Sequence, residues 1–360
     1  ADQLFILMQA ALYLTATRGL ASVDAHFCYE RAESLCHSLN RPQLLYAALI
    51  GEWRYSLNAD KLTATIQIAK RVYSLARKQN APALLIGAYS ALASTHYFLG
   101  DFAACGQCAI HGIQIWHSGR VPSPVEDVDL PVVSCLCYAA LFKWHIGEIS
   151  SSQATIEEAI SLAKELNDMH GLALALQYAA ALAYFEGNPA EVERLASNVI
   201  ELSTRQNFAH WLAIGAILRG WARSASGDTD QGISWIEEGI KDYRAIGTIL
   251  GVPSFLGIKA QALHLANRTS EALAAIKEAD ALVAKYEQQH VRVDLHRLRG
   301  VFLAAIGADE TQIEALFCAA IRIAREQKSI SLEKRAEATY AEYRRQKASA
   351  SRGRGLRLPL

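Results

Sequence analysis

The chain has 360 residues, 51% of them hydrophobic and 20% charged, which is enough apolar side chain for a sizeable core and excludes a disordered polymer. Its 36 basic and 36 acidic residues cancel, but six basic ones (Arg344, Arg345, Lys347, Arg352, Arg354, Arg357) follow the last acid, Glu342. The body is therefore acidic, nucleic acid is not the expected partner, and seven scattered cysteines do not make a small disulfide framework.

The opening ADQLFILMQAALYL has no basic n-region or clear cleavage site and does not read as a signal peptide. Without an initiator Met, it reads as part of something longer. The most apolar run, GLALALQYAAALAYF, is interrupted by Gln177 and is too short to cross a bilayer. A cytoplasmic protein without membrane contact is expected.

Scarce proline and abundant Ala and Leu predict helices. In residues 1–117, helical runs close at short turns anchored by Gly19, Asn58 and Gly100, which reads as three hairpins. Residues 118–131, SGRVPSPVEDVDLP, read as a Pro-containing inserted loop. Residues 132–347 carry turns at Gly147, Gly187, Gly227, Asn267 and Gly307, each 40 residues after the last, and read as five more hairpins with a terminal helix near 330–347. Residues 348–360 read as a basic, disordered tail. Gly or Asn at these anchors suits a helix C-terminus entering the left-handed region. Amphipathic second helices follow the turns, as in EVERLASNVIELSTRQN and QIEALFCAAIRIAREQK. Hairpins stacked at a fixed period form a solenoid. The expected fold is all-α, a right-handed superhelical solenoid of about eight hairpins.

Seven residues before the anchors stand Gly51, Ala93, Ala140, Ala180, Gly220, Ala260 and Gly300. Every one is small, so this column is expected to let the two helices of a hairpin approach closely. A glycine inside a helix costs roughly 1 kcal/mol against alanine, which close packing at Gly220 would offset.

The arrangement resembles tetratricopeptide repeats lengthened to about 40 residues, the small column matching the small position of that repeat's first helix. More specifically, ATRGLASVDAHFCYERAESLC, HYFLGDFAACGQCAIHGIQIW, FAHWLAIGAILRGWARSASGD, GISWIEEGIKDYRAIGTILGVPSFL and DLHRLRGVFLAAIG are similar to the carboxy-terminal repeat region of large bacterial fusion proteins. Those join a class III adenylate/guanylate cyclase domain to an AAA-like (STAND-type) ATPase and a tetratricopeptide-like tail. The resemblance implies a non-catalytic signal-transduction module binding a protein, a peptide or a small ligand. Its partner could include a cis-linked ATPase/cyclase module. Neither a G-x-x-x-x-G-K-[ST] loop nor a paired-aspartate cyclase core occurs in this chain.

In tetratricopeptide arrays the face three residues before each anchor lines the concave groove. Here it carries Tyr55, Tyr97, Trp144, Tyr184 and His264, with Tyr138, Gln177, Trp221, Gln261 and Arg297 beside them. Such a ladder can pack against a peptide or ring-bearing ligand, or simply join adjacent hairpins. Eight before the anchors, Arg219, Lys259 and Arg299 form a basic row that suits a carboxylate-bearing partner, or pairs with acids of the next hairpin.

Catalytic chemistry has little to stand on. Cys105 and Cys108 are helical neighbours and a weak metal candidate, but His111 fits poorly as a third ligand, and buried small side chains explain both cysteines. His290, Asp294 and His296 lack zinc-helix spacing and read as surface or packing positions. No Ser-His-Asp set and no cofactor is expected. An enzyme on a closed α/α toroid, and a small-molecule or peptide sensor of a transcription regulator, are the alternatives.

Overall fold

The computed structural model describes residues 2–119 and 130–349. Among the described residues there are seventeen α-helices, one 3-10 turn and no strand. The first three hairpins pair α1 (Asp2–Arg18) with α2 (Val23–Ser38), α3 (Pro42–Ala59) with α4 (Leu62–Gln79), and α5 (Pro82–Phe98) with α6 (Phe102–His117). Next come α7 (Pro131–His145) with α8 (Ile149–Glu165), α9 (Met169–Phe185) with α10 (Pro189–Gln206), and α11 (Ala209–Ala225) with α12 (Thr229–Ala245). The seventh hairpin is α13 (Val252–Leu265) with α14 (Thr269–Tyr286). The 3-10 turn Gln289–Val291 leads into the eighth, α15 (Arg292–Ala305) with α16 (Glu310–Glu326), and α17 (Ile330–Ser349) ends the array. Most of the inserted loop and all of the basic tail beyond Ser349 lie outside the described residues. No described helix is long and apolar enough to cross a membrane.

The turns work as their residues dictate. Gly19, Gly100, Gly147, Gly187, Gly227, Asn267 and Gly307 all have φ between +60° and +104°. There the left-handed residue turns the chain out of the first helix. The next residue, or in the eighth hairpin the one after it, then caps the second: Asp101, Asn188, Asp228 and Asp309 accept hydrogen bonds from the backbone N–H of Ala104, Glu191, Gln231 and Gln312. Asn58 is the exception. It lies within the last turn of α3, where its Nδ2 donates to the Arg54 carbonyl at 2.8 Å, and the chain turns two residues later at Asp60.

The small column is a set of helix contacts. Ala93, Ala140, Ala180 and Ala260 are fully buried. Gly51 faces the ring of Tyr29 and Gly300 that of Phe317. Gly220 on α11 meets Gly232 on α12, and a Cβ added at Gly220 would stand 2.6 Å from the Gly232 carbonyl oxygen. No side chain fits between these two backbones.

The superhelix is wound tightly enough for its successive turns to touch. The backbone N–H of Ile249, in the linker before α13, donates to the Asn58 carbonyl of α3 at 2.8 Å. Thr63 N–H, at the start of α4, donates to the Glu287 carboxylate after α14 at 2.8 Å. Tyr97 of α5 lies 5.4 Å, ring to ring, from His290. His145 Nδ1 of α7 is 2.8 Å from Ser329 Oγ just before α17. The second, third and fourth hairpins therefore meet the chain some five hairpins later, and the first helices surround the axis.

Candidate functional site: the central cavity

A cavity of about 220 Å³ occupies the axis, walled by the first helices α3, α5, α7, α9, α11, α13 and α15 and touched by Leu332 of α17. Its wall repeats with the fold. His170, His210, Leu250 and His290 stand 40 residues apart and all line it. So do Leu174, Ile214, Ser254 and Asp294 one helical turn on, and Tyr178, Leu218, Ile258 and Leu298 after that. Four residues advance a helix by about 40° past a full turn, so these columns make one slowly drifting stripe.

The wall is apolar with a few placed polar groups, the usual composition of a ligand pocket. Trp211 Nε1 donates to His170 Nδ1 at 3.3 Å, and the His170 ring lies 3.7 Å from that of Phe208. His210 packs against Trp211 and Tyr243 at 4.5 and 5.0 Å, ring to ring. Ser254 Oγ is 3.0 Å from His290 Nε2. Burial lowers every one of these imidazoles: His210 falls to about 3, helped by neighbouring His170. His170 falls to about 4, burial acting first and the charge of Arg54 second. His290 is likewise held at about 4 by burial, and His145 at about 3 by burial, then His290 and Arg335. At neutral pH the cavity histidines are uncharged.

Two ionised side chains line the wall, Arg54 and Asp294. Arg54 is 6% exposed, on α3. Asp294 is paired twice over, with Arg297 Nε at 3.1 Å and Arg335 Nη1 at 3.4 Å. Burial alone would raise the Asp294 carboxyl, but the two guanidinium groups outweigh it and hold it below the usual value. Arg335 also donates to the Phe185 carbonyl and lies 5.3 Å from the Trp144 ring centroid, so α17 clasps α7, α9 and α15 together.

Five of the groove residues expected from sequence line the cavity: Tyr97, Tyr138, Trp144, Gln177 and Tyr184. The other seven do not. Tyr55 stacks on His26 of the first hairpin at 4.0 Å. Trp221 donates from Nε1 to Gln261 Oε1 at 3.2 Å, and Gln261 donates to the Tyr184 hydroxyl, so both stand one layer behind the wall. His264 meets Thr269 Oγ1 at 3.0 Å and packs on Phe302. Arg297 is buried beneath Asp294.

The basic row faces away from the axis. Arg219 pairs with Glu193 at 2.9 Å and Lys259 with Glu237 at 2.8 Å, while Arg299 pairs with Asp280. Each partner belongs to the preceding hairpin, not the next. Positions three and eight before an anchor are five residues apart, about 140° around a helix, so they cannot share a face.

Cys105 is fully buried with its Sγ 3.9 Å from the Tyr138 carbonyl, and burial pushes its thiol well above the usual value. That environment disfavours the thiolate a metal needs, and among the described residues no three His, Cys, Asp or Glu side chains come together as a metal site. Sequence spacing missed the residues that matter most to the cavity: Arg54, His170, His210, His290 and Asp294. The last two had read as surface or packing positions. The repeat register held the signal, since His170, His210 and His290 share one phase.

No family model matches the chain. It is 22% identical over 342 residues to an uncharacterized protein of Rhizobium meliloti (strain 1021), covering 93% of this chain and 33% of that protein. The chain thus spans about a third of the length of that curated relative. Among solved structures it resembles NprR in complex with its cognate peptide NprX (TM-score 0.62, 12% identity, 98% of this chain and 94% of that one). It also resembles Rap protein complexed with Competence and Sporulation Factor (TM-score 0.59, 12% identity, 98% and 99%). A third likeness is an IFIT1 monomeric mutant with m7Gppp-AAAA (TM-score 0.53, 12% identity, 91% and 70%). These likenesses share a fold while their ligands differ in chemistry, and the fold of this chain is a tetratricopeptide-like helical solenoid.

Proposed function

We propose that the chain is a non-catalytic sensor module that takes a short peptide or small ligand in its central cavity and transmits occupancy through the closure of its superhelix. The observation that carries this reading is the cavity itself, walled by repeating apolar columns and sealed by contacts between successive superhelical turns. The complex of NprR with its cognate peptide, on the same fold, supports a peptide as one ligand class. A volume of about 220 Å³ lies below the roughly 300–1,000 Å³ of ordinary ligand pockets. It admits a small molecule or one or two side chains, and a longer peptide requires the turns to separate. Because each repeat touches few neighbours, small adjustments at many interfaces add up to a change of pitch. The output partner in this reading is a signalling ATPase or cyclase in the same cytoplasmic polypeptide, in keeping with the family resemblance.

The test passes fractionated peptide and metabolite extracts over the immobilised protein, alongside Ser254→Trp, whose indole fills the cavity. A species retained by the wild type and lost by the folded variant, with a change in the radius of gyration on binding, supports the reading. Equal retention by both proteins overturns it.

A further inference from the structure

The apolar core stops short of the first hairpin. It runs unbroken from Tyr46 to Tyr343, and no buried apolar residue of α1 or α2 belongs to it. Leu4, Ala32 and Cys36 cluster with Ala48 of α3, while Ala11, Ala25 and Tyr29 form a second small cluster. The groups that join α2 to the next hairpin are largely polar. Glu52 of α3 is 7% exposed, its carboxyl shares a hydrogen bond with Glu33 of α2, and its Oε1 has no partner. Arg71 of α4 also pairs with Glu33, and the His26 ring stacks on Tyr55 at 4.0 Å. A buried carboxyl oxygen without a partner costs free energy, so this interface holds less firmly than the apolar ones between later hairpins.

The same hairpin reaches the cavity. Among the described residues Leu20, in the turn between α1 and α2, is the one residue before α3 that lines it. The turn rests on the linker between α12 and α13. A Cβ added at Gly19 would stand 3.5 Å from the Ile246 side chain, and one at Gly247 would stand 3.5 Å from the Ala21 carbonyl oxygen. Among the described residues no backbone hydrogen bond crosses this contact. The second and fourth hairpins, by contrast, are fastened to the later turn, through Asn58 with Ile249 and through His145 with Ser329. Segments with few buried apolar contacts open at the lowest cost. The wall has one loose panel.

We propose that the first hairpin is the lid of the cavity. It pivots at the α2–α3 interface, Leu20 leaves the linker at Ile246 and Gly247, and the ligand enters through the gap between them. This deepens the sensor reading and rests on it, naming where the superhelix parts for a ligand larger than the closed cavity of about 220 Å³ admits.

Two measurements on the full chain test this together. One is amide hydrogen exchange read by mass spectrometry; the other is stopped-flow binding of the neutral fluorescent probe N-phenyl-1-naphthylamine. The amides of α1 and α2 should exchange as one unit, about tenfold or more faster than those of α5 to α15. Glu52→Leu replaces the buried carboxyl with an apolar side chain and leaves Glu33 to Arg71. It should slow both that exchange and probe association by about tenfold. Leu20→Ala trims the lid without touching the pivot and should speed association severalfold while α2 exchanges as before. Thermal melts verify that both variants fold. Exchange that fades along α1 and leaves α2 protected is fraying of a helix end and overturns the lid. Probe association at one rate in all three proteins overturns it too. Either result leaves the sensor reading standing. A probe that does not bind the wild type, or that binds Ser254→Trp equally well, overturns both.

Discussion

Lowering the pH from 7 to 5 should destabilise this protein by about 5 kcal/mol net, and the main cause lies in the cavity. His145 and His210 are held at about 3, His170 and His290 at about 4, against about 6.5 in an unfolded chain. Between those values the unfolded chain binds more protons, so stability is complete above pH 6.5 and is lost as pH falls. At pH 5 the loss is about 2 kcal/mol for each histidine, about 8 kcal/mol for four, comparable with the whole stability of many domains. Glu52 runs the other way. Burial, and the hydrogen bond that its protonated form donates to the Glu33 carboxylate, push its carboxyl up to about 8, so it withdraws stability as pH rises from its unfolded value near 4.3. Maximum stability should fall near pH 7. Urea melts from pH 8 to 4.5 measure the curve, and calorimetry in buffers of different ionisation enthalpy counts protons. About three protons should be taken up on unfolding at pH 5, nearly four by the histidines less most of one released by Glu52. His210→Gln should lower that count by about one. A flat stability profile from pH 7 to 5, or an uptake below one proton, would refute the assignment of neutral buried histidines.

Three further outcomes follow from particular contacts. Gly220→Val should destabilise by about 2–3 kcal/mol despite better helix propensity, because the new side chain meets the backbone of Gly232; an unchanged urea midpoint would show that α11 and α12 can separate. Arg335→Ala removes the clasp on Asp294, the Phe185 carbonyl and the Trp144 ring. It should cost about 3 kcal/mol and raise the radius of gyration in small-angle scattering, whereas an unchanged radius would mean that α17 does not hold the turns closed. Arg219→Met should change stability by less than about 1 kcal/mol and leave ligand binding alone, since Arg219 is a part-exposed ion pair outside the cavity; a loss of binding would put the basic row back in the site.

The repeat was legible because its punctuation is local. Gly and Asn at the anchors, and Asp or Asn caps just after, are side-chain solutions to helix ends that each hairpin needs independently. A second set of left-handed residues, Asn167, Asn207, Gly247 and Glu287, stands between hairpins at the same spacing of 40 and was equally available to sequence reading. Asn58 misled because an asparagine near a helix end can hydrogen-bond backward into its own last turn, as it does to Arg54.

The site was half legible, for a different reason. Tyr97, Trp144 and Tyr184 were found through their phase near the ends of the first helices, but the cavity extends along the N-terminal halves of α9, α11 and α13. Which stretch of a repeating stripe faces an enclosed space depends on the pitch of the superhelix. That pitch is set by contacts such as Thr63 with Glu287, 224 residues apart. No local pattern encodes it.

The most direct test of the central claim is a crystal structure of the protein with the species it retains from extract. Density inside the cavity, against Tyr97, Trp144 and Trp211 of its wall, is the expected result. Density on the outer face formed by the second helices, with the cavity unchanged, would contradict it.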